Sequence, residues 1–160
     1  MPVPAAEPAV AALRARHDPS AANGMPAHIT ILYPFLAPEK ITDSVEREAG
    51  LVIARFRAFR FALVRVGLFP RVVYLEPEPA APFAELTHAF HLQWPDHAPY
   101  GGAFETVVPH LTVAQGRRTP PRVERELEEA LPIEAEATEV QLMTLADSVW
   151  SVRKSFPLAG

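Results

Sequence analysis

The chain has 160 residues, 49% hydrophobic and 21% charged, with 15 basic against 19 acidic side chains, a net charge of −4 and no cysteine. That balance suits a globular chain and excludes a disordered one; the acidic excess argues against an extended nucleic-acid footprint, which needs surplus cations to neutralise many phosphates. The missing cysteine removes disulfides, thiol nucleophiles and thiolate metal sites, and with no leader-like run at Met1–Val10 and no stretch of about 18 apolar residues the chain reads as cytoplasmic, without a membrane span.

In chain order, Glu7 to Arg16 predicts a short helix with Pro8 in its first turn and Val10 and Leu13 on one face. Asp18 to Gly24 reads as a loop, and Ala27 to Tyr33 as an apolar strand stopped by Pro34. Asp43 to Phe56 is a predicted helix, with Asp43 and Glu46 as a capping box. Phe59–Phe69 and Val72–Glu76 form two strands about a Pro70-Arg71 turn, and Pro82–Trp94 is a helix with the stripe Phe83, Leu86, Phe90 and Trp94. After a Pro/Gly loop to Phe104, Thr106–Ala114 predicts a strand in which Pro109 marks an edge or a bulge. Thr119 caps a helix with Pro120 at its first position, and Thr138–Leu145 and Val149–Phe156 pair across Ala146-Asp147-Ser148.

Two quartets stand out, His28-Ile29-Thr30-Ile31 and His110-Leu111-Thr112-Val113, offset by 110 − 28 = 82 residues, about half the chain. Each sits on the strand of a helix, strand, helix, two-strand order that occurs twice; the repeat is one of element order rather than of residue identity. Because side chains alternate along a strand, the imidazole and hydroxyl of each quartet share one face and the apolar pair anchors the other. If the halves pack about a pseudo-twofold axis, the polar faces meet across a cleft. An imidazole titrates near pH ~6.5, so one histidine can take a proton while its partner gives one, and each threonine hydroxyl can hold a phosphate oxygen. A single His-x-Thr on a strand is more often a surface or core pair; two copies at equivalent places argue for a site.

The quartets resemble the H-x-[ST]-x motifs of the two-histidine (2H) phosphoesterase superfamily, specifically its bacterial 2′-5′ RNA ligase-like branch, and Leu32-Tyr33-Pro34-Phe35 and Phe156-Pro157-Leu158 look like that branch too. The resemblance implies an α+β fold, a bilobal pseudo-twofold repeat of two antiparallel sheets around a central cleft with helices outside, forming one two-lobed domain over residues 1–160. It implies a phosphoesterase without metal or other cofactor, acting on a 2′,3′-cyclic phosphate or a 2′-5′-linked nucleotide or RNA end. His28 and His110 would be the acid–base pair, and Thr30 and Thr112 would bind phosphate. Two departures are evident. Gln115 stands where many members carry a basic residue, with Arg117 and Arg118 following, and Met1 to Ala6 makes a poor first strand, which implies a smaller first sheet or a different edge. A silent nucleotide- or RNA-end-binding module of the same fold is the alternative that Gln115 favours.

Among other residues, Tyr33 and Tyr100 are candidates to contact substrate, although regular alternation sides Tyr33 with Ile29 and Ile31 in the core. Tyr74 offers a third ring, more ordinary as a packed strand residue. Lys154 shares parity with Trp150, Val152 and Phe156, and Arg65 with Phe61 and Leu63; either cation meets phosphate at a strand end or snorkels to solvent. His88, His91 and His97 suggest zinc only superficially, since His88 lies opposite the apolar stripe. The glutamate-rich stretch from Arg122 to Glu139 reads as a solvated face, and nothing in the sequence points to a protein partner.

Overall fold

A computed structural model of the chain describes residues 1–103, 107–116 and 121–160. Its elements are α1 (Glu7–His17), α2 (Pro19–Ala22), α3 (Asp43–Ile53), β1 (Phe59–Phe69), β2 (Val72–Glu78), α4 (Ala81–Gln93), β3 (Leu111–Gln115), α5 (Pro121–Glu128), β4 (Ile133–Ala137), β5 (Glu139–Ala146) and β6 (Val149–Pro157), with short 3-10 turns at Pro4–Ala6, Pro38–Lys40 and Pro99–Gly102. The strands form an antiparallel sheet in the order β3-β2-β1-β4 and a separate β5-β6 hairpin. This is the predicted α+β architecture of antiparallel sheets with helices. No described helix is long and apolar enough to cross a membrane.

One apolar core runs from Met1 and Val3 through Ile29, Leu63, Leu75 and Leu111 to Phe156 and Leu158. α4 buries the stripe Phe83, Leu86 and Phe90, with Thr87 beside it, and Phe83 meets Phe59 and Phe61 edge-on at 5.0 Å each. Burying such side chains stabilises by roughly 1.5–3 kcal/mol apiece. α3 starts one residue earlier than a capping box at Asp43 requires: the Thr42 hydroxyl accepts from the Val45 amide at 3.4 Å, which leaves Glu46 free for β6. α1 buries Arg14 among Val10 and Leu13, and its guanidinium binds Asp18 at 2.8 Å. Asp18 in turn caps α2 by accepting from Ser20, so the stretch predicted as a loop contains a helical turn.

The Ala27–Tyr33 segment is not the full strand that its composition predicts. Residues 27–29 pair only through single bridges, Pro2 with His28 on one side and Ile29 with Leu111 on the other. Met1–Val3 supplies the first of these: Val3 N–H donates to Ala27 O at 2.8 Å and Ile29 N–H to Met1 O at 2.9 Å. The poor first strand therefore still pairs, at a new edge. Beyond Thr30 the chain leaves the sheet because its carbonyls are taken from elsewhere. Thr87 Oγ1 donates to Ile31 O at 2.8 Å, and Tyr100 N–H donates to Tyr33 O at 2.6 Å.

The second motif strand begins at Leu111, so His110 and Pro109 precede it rather than lie within it. A bulge does occur, at Val113: Tyr74 pairs with Thr112 and Val73 with Ala114. The predicted strand start at Thr106, the Thr119-Pro120 cap and Arg117-Arg118 lie outside the described residues. β4 has no counterpart among the predicted elements. Its alternation turns Glu134 and Glu136 outward and Ala137 inward, so part of the acidic stretch is a strand paired with β1.

Candidate active site

The Ile29–Leu111 bridge is antiparallel, and both residues are fully buried. Alternation then turns His28, Thr30, His110 and Thr112 to the opposite face, and the antiparallel register sets His28 across from Thr112 and Thr30 across from His110. The four side chains are half-buried and line one cleft of about 1350 Å³.

The two histidines are held alike. A carbonyl accepts only, so the ring nitrogen facing it carries the proton. His28 Nδ1 donates to Pro26 O at 2.8 Å and His110 Nδ1 donates to Val108 O at 2.7 Å, each a carbonyl two residues back. That fixes the tautomer in which Nε2 bears the lone pair. Burial pushes the His28 imidazole down to about 4, helped by the neighbouring N-terminal amino group, and burial also holds His110 below the ordinary range. The amino group of Met1 is itself buried, donating to Ile29 O at 3.0 Å and pushed down by burial to about 5.

Three rings box His110: Phe69 at 5.3 Å and Tyr74 at 5.2 Å meet it edge-on, and Tyr100 lies nearly parallel at 6.4 Å. Tyr74 is buried and stacks on Phe69 at 4.2 Å, so it braces the site. Its ring lies over Gly67, where a Cβ would sit 2.3 Å from the ring atoms. Tyr100 joins the two motifs, with its backbone N–H on Tyr33 O, its ring against His110 and a side-chain hydrogen bond with Thr30. Burial raises the Tyr100 phenol while that hydrogen bond opposes it.

Tyr33 also lines the cleft, 55% exposed, and not the core that strand parity assigns. The parity fails because the chain bends after Thr30. Lys154 does not line the cleft. β6 carries a bulge at Arg153, which moves Lys154 off the face of Trp150, and its ammonium sits 2.9 Å from Glu46. Arg65 is displaced in the same way by a bulge at Val64, and its guanidinium binds Glu76 in the open. Among the described residues, no group of three His, Asp or Glu side chains is placed to hold a metal ion.

Sequence reasoning missed much of the cleft's apolar lining. Phe35, Leu142, Met143, Leu145 and Trp150 belong to it, and Gln115 and the paired Asp18 lie among the polar lining. The two-strand reading of β5 and β6 carried the signal for Trp150, but no spacing rule connects a hairpin end to a motif more than a hundred residues away.

The 2′-5′ RNA ligase superfamily model matches residues 2–148. Across 110 residues the chain is 33% identical to a candidate phosphoesterase of Bacillus cytotoxicus, Bcer98_0945; that stretch covers 64% of this chain and 59% of the relative, so the match spans less than two thirds of that protein. Among solved structures, E. coli LigT complexed with NADP+ superposes with a TM-score of 0.59 at 20% identity, covering 96% of this chain and 91% of LigT. TT0787 of Thermus thermophilus gives 0.60 at 22% identity, covering 96% and 93%. LigT complexed with 3′-AMP gives 0.58 at 22%, covering 99% and 94%. These likenesses show a shared fold, and the match over residues 2–148 makes the chain a member of the 2′-5′ RNA ligase superfamily, the two-histidine phosphoesterases.

Proposed function

We propose that the chain is a metal-independent phosphoesterase that opens a 2′,3′-cyclic phosphate, or cleaves a 2′-5′ linkage, on a nucleotide or RNA end. The observation that carries this reading is the antiparallel Ile29–Leu111 bridge, which sets both His-x-Thr motifs on one cleft. In ring opening, Nε2 of one histidine takes a proton from water, the water oxygen bonds to phosphorus, the bond to the 3′ oxygen breaks, and the other imidazole, protonated, gives its proton to that oxygen. The product is a 2′-phosphate. Thr30 and Thr112 donate hydrogen bonds to the non-bridging oxygens where charge builds. Nucleotide binding by LigT, seen with 3′-AMP and NADP+, supports a nucleotide as the ligand class. On this reading residues 1–160 work as one two-lobed domain with a motif in each lobe.

Purified protein in EDTA, incubated with 2′,3′-cyclic nucleotides and short RNAs ending in a cyclic phosphate, is expected to yield 2′-phosphates. Either His28→Ala or His110→Ala should lower turnover by about 10²–10⁴-fold, the usual scale of general acid–base help. Activity that survives both changes overturns the assignment. A second reading, a silent binding module, is favoured by Gln115 in the cleft where many members carry a cation; nucleotide bound without any product would select it.

A further inference from the structure

Thr30 and Thr112 occupy equivalent places in the two motifs but are held unequally. Thr112 lies within β3, paired with Tyr74, so the strand itself directs its side chain. Thr30 lies outside any strand, just past the single Ile29–Leu111 bridge, where the chain leaves the sheet. A threonine hydroxyl rotates about its own C–O bond. One that must donate to a particular phosphate oxygen needs a neighbour to set its direction.

Tyr100 is placed to be that neighbour. It stands in the Pro99–Gly102 turn with φ 52° and ψ 31°, a left-handed backbone that a residue with a Cβ adopts at a cost. Hydrogen bonds hold it there: its N–H donates to Tyr33 O at 2.6 Å, and Ala103 N–H donates to its carbonyl at 3.2 Å. Strained backbone of this kind concentrates at functional sites. Here it brings the ring nearly parallel to His110 at 6.4 Å and the phenol to the Thr30 hydroxyl. The phenol is the stronger acid of the two, so it donates and Thr30 accepts, which leaves the threonine's own proton for the cleft. Resting on the phosphoesterase reading, we infer that Tyr100 is a positioning residue for the reaction: its phenol turns the Thr30 O–H onto a non-bridging phosphate oxygen, a task that in the second motif falls to the strand. Because charge builds on that oxygen in the transition state, losing the phenol should show in kcat rather than in KM.

The test is a double-variant cycle in steady-state kinetics on a 2′,3′-cyclic nucleotide. Tyr100→Phe removes the phenol oxygen and keeps the ring against His110. It is expected to lower kcat about tenfold, the scale of one hydrogen bond, while KM moves less than about twofold. In a Thr30→Ala background the same change should cost less than about twofold, and in Thr30→Ser, which keeps the hydroxyl, it should again cost about tenfold. A kcat for Tyr100→Phe equal to that of the wild type overturns the inference. So does a loss of the same size with and without the Thr30 hydroxyl, or a rise in KM alone, which would make the phenol a direct substrate contact. The urea transition of Tyr100→Phe is followed alongside, and its collapse would make the phenol a structural group and overturn the inference too. Failure of the phosphoesterase reading has a different signature: the wild type itself then turns over no cyclic phosphate, whereas failure of this inference leaves wild-type turnover and its dependence on His28 intact.

Discussion

At His28 and His110 the same local device recurs: a carbonyl two residues back pins Nδ1–H and leaves Nε2 to the cleft. Both imidazoles are also held below their usual range by burial, His28 at about 4. The proposed paired mechanism would need one ring neutral and one protonated, a state commonest between the two lowered values. The profile of kcat/KM against pH should therefore be a bell that peaks below about 6.5 and falls as pH rises, because the acid member loses its proton there. Initial rates on a 2′,3′-cyclic nucleotide between pH 4 and 8 check this, and a maximum well above neutrality would contradict it. The four motif residues were legible because each motif carries its chemistry in four consecutive residues. Lys154 and Arg65 were not placed by the same parity, since one inserted residue, Arg153 or Val64, turns everything after it to the other face.

Among the elements, the long strands and helices follow their patterns closely; β1 spans Phe59–Phe69 as predicted. The first motif segment departs because hydrogen bonds from Thr87 and Tyr100, more than fifty residues downstream, draw its carbonyls away from a neighbouring strand, and no local signal encodes that. β4 was hidden by its glutamates, which mask a two-residue alternation. Within the β1–β2 pair, Gly67 makes room for the Tyr74 ring that braces His110. Gly67→Ala would drive a methyl group into that ring, at a cost of about 1–3 kcal/mol for overpacking. Urea unfolding should show the loss, and kcat/KM should fall with it as Tyr74 shifts against His110. Adding Tyr74→Leu should relieve the clash, so that the pair costs less than the sum of the single changes.

For the molecule as a whole, the same buried groups tie stability to pH. His28 has a folded value of about 4 against about 6.5 in an open chain, so the unfolded state binds more protons in that window. Stability from this group is present above pH ~6.5 and is lost as pH falls through 4, to the extent of up to about 3 kcal/mol. The Met1 amino group, lowered from 8.0 to about 5, acts in the same direction over a higher window. Thermal melts from pH 7 to 4 should show a steep decline that His28→Gln flattens below pH 6.5; parallel curves for the two proteins would refute the linkage. The Ile29–Leu111 bridge has a further consequence. It closes a loop of 111 − 29 = 82 residues, and the Tyr100–Tyr33 and Thr87–Ile31 hydrogen bonds share that entropy of closure with it. Neither motif can assemble the cleft from its own neighbourhood. A fragment carrying one motif therefore lacks the cleft, and the test is whether separately prepared halves gain histidine protection only when mixed.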